Sequence, residues 1–144
     1  MAKRIPPLLT PREQLIELRT PLLELHRNLL EAERREYEVV HGRVSATELL
    51  QLALRHDQFA WLHQISTVLV RVDELVAAEE PPGVSDVSVV SSHIRALLRP
   101  VPDGSAFEQR YDRAVQNDPA VLLAHRRVIQ ALPPEPPSAP ETVH

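Results

Sequence analysis

The chain has 144 residues, of which 43% are hydrophobic and 25% are charged, as is usual for a globular domain with a substantial core. Its net charge is −4, with acidic and basic residues mixed, so composition argues against nucleic-acid binding. The absence of cysteine excludes disulfides, thiolate metal sites and cysteine nucleophiles. No apolar run suggests a signal peptide or a membrane span, so we expect a cytoplasmic protein without a membrane partner.

Composition also predicts the fold class. Aromatic residues make up 3% of the chain and there are only three glycines, whereas sheets usually need more of both at strands and turns. Leucine-rich segments with helical spacing dominate instead. We therefore predict an all-α fold, an antiparallel helix bundle of about five to six helices.

Capping residues give the predicted helix starts. Capping boxes of the form Ser/Thr-x-x-Glu begin at Thr10, Ser45 and Ser105, and Asp118 precedes a proline suited to a first turn. The predicted helices cover about 11–41, 46–56, 58–79, 86–98, 106–116 and 119–132. Pro21 is expected to interrupt or kink the first helix, and Thr20-Pro21 could equally begin a new helix. The first and third helices should form the long pair of the bundle, with the second, fourth and sixth covering them and the fifth as a short satellite.

The ends of the chain differ from the middle in composition. Residues 1–9 are predicted to be a flexible arm, and residues 10–132 a single bundle domain. Residues 133–144 ("PPEPPSAPETVH") are rich in proline and lack core-forming side chains, so we expect a disordered tail.

The stretch "LHRNLLEAERREYEVVH", residues 25–41, places polar side chains on an apolar helix face. With about 100° of rotation per residue, His26, Glu33 and Tyr37 lie near the middle of the leucine stripe. Glu33 and Tyr37 are four residues apart, a spacing that permits a hydrogen bond. His26 needs a partner from another helix.

Two further helices show the same feature. In the third predicted helix Asp73 falls inside the apolar arc and Ser66 at its edge, and in the sixth helix His125 lies at the centre of the arc. Buried charges cost several kcal/mol unless they are paired. Asp73 is therefore the expected partner of His26.

Three interpretations of these inward polar residues remain open. The first is a structural hydrogen-bond network formed by His26, Glu33, Tyr37, Ser66, Asp73 and His125. The second is a site for a transition metal or haem, with His26, Glu33, Asp73 and His125 as candidate metal ligands. The third is a pocket for a small ligand between helices.

The sequence gives little support for an enzyme. It contains no Gly-x-Ser-x-Gly, no phosphate-binding glycine loop and no His-Glu-x-x-His, and the histidines have no nucleophile beside them. Phe59 and Trp61 are candidate contacts for a partner subunit, because aromatic residues are favoured at interface centres. We therefore expect a non-catalytic interaction or regulatory protein, as a homodimer or with another protein partner. The alternative is a bundle that binds a metal, haem or small ligand.

Overall fold

Six α-helices form the protein in a computed structural model that describes residues 9–134. They are α1 (Pro11–His41), α2 (Ala46–Arg55), α3 (His63–Ala77), α4 (Val84–Leu97), α5 (Ala106–Asn117) and α6 (Pro119–Ala131). A 3-10 segment, Asp57–Leu62, leads into α3. Residues 9–134 contain no strand, which confirms the all-α prediction. Most of the predicted arm (1–9) and tail (133–144) lies outside the described residues.

The three predicted capping boxes all form. The side chains of Thr10, Ser45 and Ser105 each accept a hydrogen bond from the backbone N–H of the glutamate three residues later. Each of those glutamates accepts in return from the backbone N–H of the capping residue. Asp118 caps α6 by accepting from the N–H of Ala120 at 2.9 Å. These caps satisfy amide groups that a helix cannot satisfy itself.

Helix α1 runs without a break through Pro21, so the predicted interruption there does not occur. A proline inside a helix removes one backbone hydrogen bond. The leucines on either side of it, Leu18 and Leu22, are both buried, and their burial offsets that loss.

The predicted start of the third helix, near Gln58, was wrong. Residues Asp57–Leu62 form a 3-10 helix, and the α-helical part begins only at His63. The Nδ1 atom of His56 accepts from the N–H of Gln58 at 3.1 Å, which caps the 3-10 segment. Because a 3-10 helix has fewer residues per turn, the face that this segment presents is rotated relative to a continuous α-helix.

Helix α1 lies at the centre of the packing. Its buried residues follow one another at spacings of three or four positions, and they are Leu15, Leu18, Leu22, Leu25, Leu29 and Glu33. This face packs most extensively on α6 and then on α3, with smaller contacts to α4 and the 3-10 segment. The α1–α6 contact thus exceeds the contact between α1 and α3, the predicted long pair. Helix α5 packs on α6, and α2 packs mainly on the 3-10 segment.

Side-chain contacts give the helix directions. As residue numbers rise along α1, partner numbers fall along both neighbours, so α3 and α6 run antiparallel to α1. On the α3 side the contacts are Arg12 with the carbonyl of Ala78 and Arg19 with Asp73, and on the α6 side Glu24 with Arg127 and Arg35 with Asp118. None of the helices within residues 9–134 has the length and apolar character needed to cross a membrane.

Candidate functional site

A column of polar side chains follows α1 on the side that faces α3. Its members are seven residues apart, which keeps them on one face of the helix. They are Arg12, Arg19, His26 and Glu33, and each contacts α3, the residue that follows it, or the 3-10 segment before it. The column defines the register of this antiparallel helix pair, because shifting it would break all four contacts at once.

Glu33 is the most buried member of the column. The residue is 8% exposed, and its two carboxylate oxygens have different donors. Trp61 Nε1 donates to Oε1 at 3.0 Å and Gln58 Nε2 donates to Oε2 at 2.8 Å. The guanidinium of Arg110 on α5 lies 3.9 Å from Oε1. A buried carboxylate is tolerated where donors and a cation surround it in this way.

A cavity of about 230 Å³ adjoins Glu33 between α1, the 3-10 segment and α5. We name it the Glu33 cavity. Its lining combines three arginines, three acids, an indole and small apolar side chains; the residues are Leu29, Ala32, Glu33, Arg35, Glu36, Gln58, Trp61, Arg110, Arg113, Ala114, Asn117 and Asp118. Such a mixture of apolar surface and converging polar groups is typical of ligand sites.

His26 pairs with Ser66 of α3, because its Nε2 atom lies 2.9 Å from the serine hydroxyl. The ring is half-buried, and burial, followed by the nearby His63, lowers the pKa of His26 below its ordinary value. A neutral ring satisfied by a hydroxyl is a stable arrangement in a bundle core. Such a ring is neither charged nor in need of a carboxylate partner.

His125 on α6 pairs with Tyr111 on α5. The tyrosine hydroxyl lies 2.6 Å from Nδ1 of His125, and the two rings are 5.5 Å apart. Burial lowers the pKa of His125, with Arg126 acting in the same direction, and burial raises the pKa of Tyr111 well above its ordinary value. Both shifts keep the pair neutral, so it serves to dock α6 on α5.

Asp73 does not reach His26. It is exposed and forms an ion pair with Arg19, with 2.5 Å between Oδ1 and Nε. The apolar arc predicted for the third helix consisted of Leu62, Ile65, Leu69, Val72 and Val76. It left out Val68 and Leu75, which are buried. Including them rotates the centre of the buried face away from Asp73 and carries that residue to the edge of the face.

The three aromatic residues singled out from the sequence, Tyr37, Phe59 and Trp61, have different surroundings. Tyr37 packs against the rings of His41, His56 and Phe59, with centroid distances of 4.2, 5.4 and 6.1 Å. It is Trp61, together with Gln58, that donates to the Glu33 carboxylate. Phe59 is fully buried within this chain, so it closes the end of the core and has no surface to offer a partner.

The four candidate metal ligands are separated by their partners. Glu33 binds Trp61 and Gln58, His26 binds Ser66, His125 binds Tyr111 and Asp73 binds Arg19. Over residues 9–134, no three histidines or carboxylates come together in a way that would hold a metal ion. The residues present therefore do not fit the metal centre considered from the sequence, and the carboxylate oxygens of Glu33 already accept from N–H groups.

Helix α2 exposes large apolar side chains. Only Leu49 of this helix is buried, while Leu50 and Leu54 are 57% and 59% exposed. These two leucines are four residues apart and lie on one face. The exposed Ala46 and the half-buried Ala53 flank them, so no charge interrupts the stripe. We call Ala46, Leu50, Ala53 and Leu54 the α2 stripe.

Sequence reasoning missed the arginines of the Glu33 cavity. Arg110 and Arg113 are three residues apart on α5, and both line the cavity. The spacing itself is visible in the sequence, but arginines at that spacing are usually just a solvated face. Only the docking of α5 beside the 3-10 segment gives them a role, as the bond from Arg110 Nη1 to the carbonyl of Gln58 (3.0 Å) illustrates.

Comparison of the chain with known protein-family models, with curated proteins and with solved structures finds no significant match in any of the three.

Proposed function

We propose that this protein is a non-catalytic helical-bundle interaction protein that self-associates through the α2 stripe. The observation that carries the proposal is the exposure of Leu50 and Leu54, each more than half accessible on a strongly amphipathic helix. Exposed apolar patches on small proteins commonly mark interaction sites. We also propose that it acts in the cytoplasm, in keeping with its lack of cysteine.

A second copy of the chain is the occupant that the stripe fits best. The stripe carries no charge, so it offers no complementarity to a strongly acidic or basic partner. An uncharged stripe of leucine and alanine is complementary to itself when two helices pack about a twofold axis. A helix of ten residues spans roughly 15 Å, so the contact is small and the dimer should depend on concentration.

The test is sedimentation velocity over a wide range of protein concentrations. The native chain should shift from monomer to dimer, and the double variant Leu50→Asp, Leu54→Asp should remain a monomer with an unchanged circular dichroism spectrum. The matched control is Val84→Asp, Val89→Asp on α4, which adds the same charge at residues that are 77% and 69% exposed. That control should still dimerise.

Two results would overturn self-association through α2. One is a native chain that stays monomeric at every concentration, which would leave the stripe to a different protein partner. The other is a dimer that the α2 variant forms as readily as the control does, which would move the interface to another surface.

A further inference from the structure

The Glu33 cavity is built differently from the α2 stripe. It is a recess of about 230 Å³ bounded by three separate elements, and its walls are held by hydrogen bonds between those elements. Gln58 bonds both the carboxylate and the backbone carbonyl of Glu33, and Arg110 bonds the carbonyl of Gln58. These contacts fix the cavity shape before any ligand arrives, which lowers the entropic cost of binding.

Trp61 supplies the aromatic wall of the cavity. Its indole is held by the N–H bond to Glu33 and by an edge contact with Phe107, whose ring centroid lies 5.4 Å away. Leu29, Ala32 and Ala114 add small apolar surface to the lining. A flat aromatic or apolar group therefore has a fixed surface to pack on.

The charges of the cavity leave one arginine without an ion pair. The lining contains six charged side chains, and four of them form two pairs of opposite charge. Arg35 pairs with Asp118, and Arg110 lies beside Glu33. Among residues 9–134, Arg113 has no carboxylate partner, although it lines the same cavity. Its free guanidinium presents the planar set of donors that binds a carboxylate through two parallel hydrogen bonds.

Glu36, the sixth charged residue of the lining, restricts the negative charge that a ligand can carry. Glu36 is exposed and also lines the cavity, as do the paired carboxylates of Glu33 and Asp118. Three carboxylates would repel a dianion such as phosphate more strongly than a monoanion. The cavity is also smaller than the roughly 300–1,000 Å³ that is usual for drug-sized ligands, so its ligand must be small.

We propose that the Glu33 cavity binds a small monocarboxylate with an apolar or aromatic body. The carboxylate pairs with Arg113, with Arg110 adding positive charge, and the body packs on Trp61. In this site Glu33 is a positioning residue: it holds the indole of Trp61 and the amide of Gln58 in place and does not contact the ligand.

Trp61 is the only tryptophan of the chain, so its fluorescence reports on this cavity alone. The experiment titrates the full chain with phenylacetate, with its neutral isostere phenylacetamide and with inorganic phosphate. Phenylacetate should change the tryptophan emission in a saturable manner. Phenylacetamide should bind at least about tenfold more weakly, because it lacks the charge that pairs with arginine, and phosphate should bind more weakly still.

A pair of variants locates the effect. Arg113→Gln should weaken phenylacetate binding by at least about tenfold, because a charge-assisted bidentate contact is lost. Arg27→Gln is the matched control, since Arg27 is exposed on α1 and does not line the cavity, and it should bind like the native chain. Unchanged circular dichroism of both variants establishes that they fold.

Three outcomes overturn the proposal. The first is no saturable response to phenylacetate, and the second is equal binding of phenylacetate and phenylacetamide. The third is tighter binding of phosphate than of phenylacetate, which would assign the site to phosphate-bearing ligands. Since the α2 stripe is not part of the cavity, none of these outcomes bears on self-association.

Discussion

The inward polar side chains of this core form separate hydrogen-bonded pairs. His26 pairs with Ser66 and His125 with Tyr111, whereas Glu33 accepts hydrogen bonds from two side chains, Gln58 and Trp61. A pair of neutral groups needs no counter-ion, so the two histidines can lie on apolar helix faces at low cost. The inward histidines are thereby separated from the inward carboxylate, and it is the carboxylate that adjoins a cavity.

The pair formed by Tyr111 and His125 allows a direct stability test. Tyr111→Phe removes the hydroxyl and leaves Nδ1 of His125 without its partner in a half-buried position. We expect the free energy of unfolding to fall by about 1–2 kcal/mol, the usual loss for an unsatisfied polar group. Urea unfolding followed by circular dichroism measures this change.

Tyr37→Phe is the control for the Tyr111 variant. Tyr37 is also packed among aromatic rings, but its hydroxyl has no hydrogen-bond partner among residues 9–134. Its loss should change the free energy of unfolding by less than about 0.5 kcal/mol. Equal losses in the two variants would mean that the bond to His125 contributes nothing of its own.

For the helices, the sequence predicts those features that depend only on residues a few positions apart. The capping boxes at Thr10, Ser45 and Ser105 are set by residues three positions apart, and all three form. The continuity of α1 at Pro21 depends on the core around it, which no local pattern reports. The exposure of Asp73 follows from which residues of α3 are buried against the other helices, Val68 and Leu75 among them, and periodicity within one helix does not report this.

The candidate site was predictable only in part, for the same reason. Helical spacing puts Glu33 among leucines, and the structure buries it at 8% exposure. Its partners Gln58 and Trp61 come from a 3-10 segment, and Arg110 from a helix that is 77 positions away in the chain. Contacts over such distances follow from how helices dock, which a single sequence does not specify.

Pro21 offers a test of α1 as a single element. Pro21→Ala restores the backbone donor that the proline lacks and removes the clash with the preceding turn. Because α1 is already continuous there, no rearrangement is needed, and we expect the free energy of unfolding to rise by about 1–3 kcal/mol. Thr20→Ala, at the exposed neighbouring position, should give only the gain from helix propensity, a few tenths of a kcal/mol.

The outcome for Pro21→Ala is read by denaturant unfolding of both variants at one protein concentration. A destabilised Pro21→Ala chain would mean that the proline bends α1 to fit α3 and α6, and that a straight helix packs worse against them.

The stability of the whole molecule depends on pH through two histidines, His26 and His125, whose pKa values are both lowered in the folded chain. Burial is the main cause of the lowered pKa of both His26 and His125, and the ordinary value in the unfolded chain is 6.5. Below that value the unfolded chain takes up protons more readily than the folded chain does. The free energy of unfolding must therefore decrease as the pH falls through this range.

We accordingly predict that stability is constant between about pH 7 and pH 9 and falls between about pH 6.5 and the folded-state pKa values of the two histidines. A second loss should follow below about pH 4.5, because the capping residues Thr10 and Ser105 lower the pKa of Glu13 and Glu108, and the N–H of Val44 lowers that of Glu38. Urea unfolding at a series of pH values measures both steps.

The double variant His26→Gln, His125→Gln should lose the first step and keep the second. A native chain that becomes more stable between about pH 7 and pH 5 would contradict the assignment, since it would require histidines that are charged in the fold and paired with acids.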